Sequence, residues 1–268
     1  MSVLTATPAT TPRLRGGRAR TMVERNLMIY RHTWIVLVAE IFEPLLYLVA
    51  FGVGIGMLVG DVPGLHDATI TYPQFVAPAL LATAAMNGAM NETTFNMYSK
   101  LTTDHTYESI LTTPMTVRSV ALGEICWALL RGFGVSGAFL GVVAAFGLVH
   151  SPWALLALPG ALLIGFAFAA IGLLTVTFLR SYHDFQLIQL VMLPMFLFAT
   201  TFYPLGVYPR PIQIIVEFLP LYHAIELVRD PFLGAPSTDM LIAAAYLAVL
   251  GVAALLLAIR RLGSTLRR

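Results

Sequence analysis

Five charged side chains interrupt otherwise apolar runs: Glu40, Glu43, Glu92, Glu124 and Arg131. An ionisable group in such a run is costly to bury, and by default it signals function as a proton relay or a polar path for a solute. Glu92, Glu124 and Arg131 are the candidates for that path. Glu124 and Arg131 stand seven residues apart, two turns along one helical face. A plainer reading competes with this one. Glu40, Glu43, Glu92 and Glu124 all fall near an expected inner interface, where water or a nearby basic segment would satisfy them. That reading is preferred for the four acids, whereas Arg131 lies deeper and suits a buried ion pair. Pro44 directly follows Glu43 and is expected to kink or loosen its helix.

Other chemistry has less support. "GVSG", Gly134–Gly137, matches the GxSG serine motif of rhomboid intramembrane proteases and would make Ser136 a nucleophile. Such a serine needs a histidine base within reach. His150, His183 and His223 fall near span ends or in loops, and the helix-borne AH-x-x-G pattern is absent. No Cys or His cluster has metal-ligand spacing. Cys126, the only cysteine, sits in an apolar run and is expected to be a buried structural thiol. There is no GxxxxGK[ST] loop, and Lys100 is the only lysine. Work against a gradient would then draw on an ion gradient or on ATP hydrolysed by another polypeptide.

The elements that must position these residues follow from composition. Of 268 residues, 58% are hydrophobic and 11% charged, against about 25% charged in a soluble domain. This places the chain among all-α polytopic membrane proteins. Six runs are long enough to span: roughly 34–59, 72–98, 119–149, 153–179, 185–206 and 239–259. With both termini inside, six N-terminal arginines, Lys100, Arg118, Arg180 and four C-terminal arginines are cytoplasmic. Only Arg210 and Arg229 are then outside, as the positive-inside rule requires. No cleavable signal is expected, because the first apolar run starts only at Trp34, is too long, and lacks a small-residue cleavage site. The net charge of +2 suggests no nucleic-acid partner.

Between the last two spans, "YPRPIQIIVEFLPLYHAIELVRDPFLG" carries Arg210, Glu217, His223, Glu226, Arg229 and Asp230, and Pro220 breaks it. Two short helices dipping from the outer face suit it better than a seventh span, since non-helical backbone at membrane depth must be covered by protein or a cavity. Ahead of the first span, Val23, Leu27, Tyr30 and Trp34 share an apolar helical face, with Arg20, Glu24, Arg25 and Arg31 elsewhere. That spacing predicts an amphipathic helix on the cytoplasmic membrane surface. Gly52, Gly56 and Gly60 share another helical face, suited to close approach of a neighbour in the same chain or in a second copy. Gly137 and Gly141 repeat the pattern. Aromatic residues such as Tyr47, Phe51, Phe196 and Phe202 could stack on a sugar, although packing or lipid contact is the commoner use.

"DHTYESILTTPMTVR", from Asp104 to Arg118, separates the second and third runs. Asp104 can cap a helix with Glu108 in its first turn. Tyr107, Ile110 and Leu111 form one apolar stripe, and Pro114 is expected to end the helix. A short cytoplasmic amphipathic helix can bury its stripe on its own bundle or in the groove of a partner.

Together, "FEPLLYLVAFGVGIG", "FVAPALLATAAMNGAMNET", "TYESILTTPMTVRSVALGEICWA" and "FLPLYHAIELVRDPFLG" carry a resemblance. From about residue 20 to 261 the chain resembles the membrane subunits of ABC type-2 exporters, closest to the NodJ-like lipooligosaccharide export permeases. The resemblance implies six spans, an N-terminal interface helix and an outer re-entrant hairpin. It divides the chain into a cytoplasmic tail, 1–17, a transmembrane domain, 18–261, and a basic tail, 262–268. It also implies two permease copies, identical or homologous, and two ATPase subunits that hold ATP and Mg. The segment at 104–113 becomes a coupling helix seated in a cleft of the ATPase, with Tyr107, Glu108 and Leu111 as contacts. The expected function is export of a glycolipid or lipid-linked oligosaccharide across a bacterial plasma membrane. A hydrophobic drug is the close alternative, and an ion-coupled transporter or an intramembrane hydrolase are the others.

Overall fold

Backbone groups in a bilayer have no water to bond, so apolar runs satisfy them internally as helices. The structure, a computed structural model, describes residues 17–30, 34–56, 70–104, 106–113, 115–149, 151–234 and 237–265. In chain order these form α1 (Gly17–Tyr30), α2 (Trp34–Gly54) and α3 (Tyr72–Asn91). A π-helical turn (Glu92–Asn96) continues α3 into α4 (Met97–Thr102), and the short α5 (Thr106–Leu111) follows. Then come α6 (Val117–Ala145), α7 (Ala157–Val176), α8 (Phe185–Phe198), α9 (Arg210–Glu217), α10 (Pro220–Leu233) and α11 (Thr238–Thr265). No strand occurs among the described residues.

Among the described residues, four helical stretches are long and apolar enough to cross a membrane: Ile35–Gly52, Val117–Ala145, Pro152–Val176 and Thr238–Leu262. They coincide with the first, third, fourth and sixth expected spans. The chain is therefore a multi-pass membrane protein. The bent pair α9–α10, 85° apart, would make five if it counts as one span. The other two expected spans differ for physical reasons. Asn87, Asn91 and Glu92 dilute the apolar character of α3 toward its end. Helix α8 stops at Phe198 after 14 residues, and Thr200 then takes a left-handed φ of 62°. In the bent pair, Pro220 occupies the first turn of α10, where its missing N–H is not needed.

Helix α7 is the hub, packed by α3, α6, α10 and α11. Two glycines set how closely the layers approach. A Cβ at Gly172 of α7 would lie 2.1 Å from the Thr93 hydroxyl oxygen in the π turn. A Cβ at Gly123 of α6 would lie 2.6 Å from Met22 Cβ and 3.3 Å from the Ala19 carbonyl oxygen, which is how α1 seats on α6. The expected glycine face of α2 also finds its neighbour within the chain. Cβ atoms at Gly52 and Gly56 would approach Pro73 to 3.3 and 3.6 Å, while Gly60 lies outside the described residues. Gly137 is only loosely approached, by Leu158 at 3.9 Å, and Gly141 faces open space.

Helix α8 is held by aromatic rings at its two ends. Phe185 meets Phe95 and Tyr98, each at 5.4 Å between centroids. Phe196 meets Tyr47 at 6.0 Å and Phe202 at 5.3 Å. Along one side of α8 an apolar groove of about 1040 Å³ runs against α7 and α9.

Gly123→Ala is expected to lift α1 from α6, because neither Met22 Cβ nor a backbone carbonyl can rotate aside. Overpacking of this kind typically costs about 1–3 kcal/mol. The check is a lower melting temperature in detergent, with faster proteolysis within residues 17–30.

Candidate functional site

The sequence assigns the Val23, Leu27 and Tyr30 face of α1 to the membrane surface. The face docked on the bundle is Met22 and Asn26, both almost fully buried, with Tyr30 half-buried. Leu27 is 55% exposed and Val23 half-buried. The reason is the cradle at Gly123, which admits Met22 and brings Asn26 beside a buried carboxylate. Trp34's side chain lies outside those described. Arg25 is half-buried, and its Nη1 is buried with no hydrogen-bond partner among the described residues.

That carboxylate is Glu124, which is completely buried and accepts three hydrogen bonds. Tyr107 Oη of α5 donates to Oε1 at 2.8 Å. Lys100 Nζ of α4 donates to Oε2 at 2.8 Å, and Asn26 Nδ2 of α1 to the same oxygen at 3.1 Å. Burial first, and the neighbouring Glu124 second, hold the Tyr107 phenol well above its ordinary pKa. It therefore remains a donor.

A second cluster surrounds Glu92, also completely buried. Its Oε2 accepts from Tyr30 Oη and Asn96 Nδ2, both at 2.8 Å, and from Arg131 Nη1. Arg131 also pairs with Glu40 of α2 through Nη2, and its Nε donates to Glu40 Oε2 at 3.1 Å. Arg131 Nη1 donates to Tyr30 Oη at 3.0 Å. Burial, then Glu92, raise the phenol of Tyr30, so it too stays protonated. Lys100 links the clusters, since its Nζ is 3.7 Å from Glu92 Oε1. The π turn makes this geometry possible. Thr93 and Thr94 bond the carbonyls of Ala89 and Met90, and the widened turn aims Glu92 and Asn96 at the same partners.

Two hydrogen-bonded clusters, joined only by the 3.7 Å Lys100–Glu92 ion pair, therefore run from α5 through Glu124, Lys100, Glu92 and Arg131 to Glu40. Of the residues proposed for a polar path, Glu92, Glu124 and Arg131 do come together, tied to α1 and to one another rather than lining open space. Arg131 forms the deep ion pair expected of it. Glu43 is exposed and stands apart. Lys100, Asn26, Asn96 and Tyr30 join the network unforeseen, apart from Tyr30's assignment to α1. The signal in the sequence was the lone lysine four residues after Asn96, itself four after Glu92.

In α5 the expected contact Tyr107 points inward and has no exposed surface. Its partner-facing role is corrected to an internal one, because its hydroxyl needs the buried carboxylate. Ile110 is half-buried, Asp104 is exposed, and the side chains of Glu108 and Leu111 lie outside those described. Pro114 also lies outside. Within the described residues α5 ends as Thr112 and Thr113 hydroxyls bond the carbonyls of Ser109 and Ile110, at 2.7 and 2.5 Å.

The bent pair has its own anchor. Arg229 is buried, with Nη2 bonding the Thr200 carbonyl at 2.7 Å and Nη1 reaching Thr200 Oγ1 at 3.3 Å and Glu226 at 3.5 Å. Its guanidinium lies 4.0 Å from the centroid of Phe75. Arg229 thus holds the left-handed residue that ends α8. His223 stacks on Tyr246 at 4.1 Å. The side chain of Glu217 pairs only loosely with Arg210, at 3.7 Å in an exposed setting. Ser136 is buried, and its hydroxyl has no partner among the described residues. Cys126 is exposed rather than buried, because it lies on the outward side of α6.

A helical multi-pass protein with a short helix locked to a buried charge network has the architecture of a transport subunit. Residues 18–233 match the ABC-2 type transporter family, and the chain belongs to it. Nodulation protein J of Rhizobium leguminosarum bv. trifolii is 35% identical over 207 residues, 76% of each chain. Nodulation protein J of Rhizobium meliloti (strain 1021) is 32% identical over 216 residues, 79% of this chain and 80% of the relative. Inner membrane transport permease YadH of Escherichia coli (strain K12) is 26% identical over 210 residues, 76% and 78% of the two chains. The chain is thus a permease subunit of an ABC transporter, a class that works with an ATP-binding subunit.

Removing one member of a buried ion pair leaves an uncompensated charge and costs about 3–5 kcal/mol. Arg131→Met is therefore expected to be strongly destabilising, and Tyr107→Phe milder, about 1–3 kcal/mol. Thermal unfolding in detergent checks both, and Glu40→Gln should recover part of the Arg131→Met loss. Arg229→Met should separately lower stability by about 1–3 kcal/mol, by leaving the Thr200 carbonyl unsatisfied.

Proposed function

We propose that the chain is the membrane half of an ATP-driven exporter that moves an amphipathic glycolipid outward across a bacterial inner membrane. In this reading six segments span, with both termini cytoplasmic, α1 on the inner membrane surface and α9–α10 re-entrant from outside. The charge asymmetry of the loops supports that orientation. Similarity to an inner membrane transport permease of E. coli supports the membrane. Two permeases, identical or homologous, pair with two ATPase subunits that bind ATP and Mg. The names of the nodulation relatives leave the cargo open, so the glycolipid rests on the resemblance.

The single observation that carries coupling is the Tyr107–Glu124 bond. Helix α5 is too short, at six residues, to be stable alone in water. Bonded to the network, it moves as part of α1, α3 and α6. A push delivered to α5 by an ATPase is then transmitted at once to Glu40 on the first span. Asp104, Thr112 and Thr113 remain exposed for contact with that partner. A hydrophobic drug as cargo is the second reading, favoured by the apolar groove beside α8.

Asp104→Arg combined with Thr112→Arg should abolish capture of the partner ATPase subunit, without changing the melting temperature. Tyr107→Phe should retain capture but lower export more than tenfold, as ATP hydrolysis becomes uncoupled. Capture unaffected by the double arginine variant would show that α5 is not the docking element. Export that continues with an ATPase-dead partner would show that ATP does not drive transport.

A further inference from the structure

Helix α8 has two unlike sides. Toward α2 and α3 it borders a polar cleft of about 190 Å³, walled in part by Glu40 and by Asn87, Asn91 and Gln189. Those three amides have no hydrogen-bond partner among the described residues. Toward α7 and α9 it borders the apolar groove of about 1040 Å³. The groove is polarised along its length. Its only polar lining residues are Thr175, Arg180 and Asp184, and all three stand at one end, where α7 gives way to α8. The opposite end is closed by Ile212, Ile215 and Val216 of α9. Between them run the 14 residues of α8, about 21 Å at 1.5 Å each. That exceeds the depth of one leaflet, roughly 15 Å as half of the hydrocarbon core. An apolar groove of this size stays dry, so hydrocarbon suits it better than water.

The polar end selects a charge. The Thr175 hydroxyl is spent on the Ile171 carbonyl at 2.8 Å. Asp184 Oδ2 accepts the backbone N–H groups of Arg180 and Ser181, at 2.7 and 3.2 Å. Arg180 is exposed, and its side chain makes no hydrogen bond or close ion pair among the described residues. Phe178 lines the groove beside it, and the Arg261 guanidinium of α11 lies 3.7 Å from the centroid of that ring. Two guanidinium groups thus flank the mouth against one carboxylate already bonded to backbone. Guanidinium groups at the end of an apolar groove between spans suit a phosphate whose chains lie in the groove. A second copy of this chain could offer apolar surface to the groove, but its corresponding end is itself rich in arginine.

We propose that the groove between α7, α8 and α9 is a site for an anionic phospholipid, with its acyl chains along α8 and its phosphate at Arg180 and Arg261. The lipid is a resident ligand that completes the packing of α8. It goes beyond the exporter reading, since neither cargo nor ATPase takes part. The mouth also lies beside the buried charge network, because the hydroxyls of Tyr182 and Thr103, just past α4, share a hydrogen bond of 2.9 Å.

Native mass spectrometry of the delipidated full chain in a neutral detergent tests this, with dioleoylphosphatidylglycerol and dioleoylphosphatidylcholine as probes. The phosphatidylglycerol should bind saturably and at least about tenfold more tightly than the phosphatidylcholine. Dihexanoylphosphatidylglycerol, with the same headgroup and short chains, should bind at least about tenfold more weakly than the dioleoyl form. Arg180→Gln and Arg261→Gln should each weaken dioleoylphosphatidylglycerol binding about fivefold, the contribution of one arginine near an anionic headgroup. Arg210→Gln, an exposed arginine at the far end, should leave it unchanged. Val191→Trp, an exposed position lining the groove, should block binding by filling it. Gel filtration verifies folding of each variant. Equal binding of the two dioleoyl lipids, equal binding of the short and long chains, or full binding by both glutamine variants would overturn the proposal. So would a dimer mass lost in Val191→Trp with lipid binding intact, which would give the groove to a second copy. Failure here leaves the exporter reading standing, and lost ATPase capture leaves the lipid site standing.

Discussion

A buried carboxylate must be matched where it stands, and Glu124 imposes that demand on this fold. It has no solvent exposure, and its partners come from α1, α4 and α5. Three separate helices are thereby held together. Glu92 makes a similar demand one layer deeper, recruiting α1 through Tyr30 and α6 through Arg131. In a medium of low effective dielectric, such pairs are costly to bury but costlier to break. The network is thus a specifying device: it fixes which arrangement of helices is allowed, whatever its net contribution to stability.

This explains how a six-residue helix is held in place. Isolated helices of that length melt, and the apolar stripe of α5 is too small to change that. Tyr107 supplies what the stripe does not, a directional bond to an immobile acceptor. The rigid body so formed ends at Glu40, on the wall of the polar cleft. The aromatic rings at the ends of α8 leave its middle free of the bundle, with the polar cleft on one side and the apolar groove on the other.

Much of this was legible in residue order. The runs that became α2, α6, α7 and α11 could be read directly, because an uncharged stretch of that length has few other fates. Arg131 was recognisable as a buried pair by its depth. The docked face of α1 was not legible, because a glycine a hundred residues away selects Met22 and Asn26 rather than any apolar period. The stripe holding Tyr107 could bury on its own bundle or in a partner's groove, and nothing local reveals that Glu124 waits beneath it.

Sequence by itself determined the membrane class, the helical state of the main spans and the asymmetry of charge. Those properties are sums over composition and short-range period, which survive without knowledge of neighbours. Tertiary structure decided which acids meet which cations, which side of α1 is buried, and which amides remain unbonded in the cleft. Each depends on atoms brought within about 3 Å from distant parts of the chain. A π turn, a glycine contact and a left-handed threonine set those distances, and no periodicity encodes them.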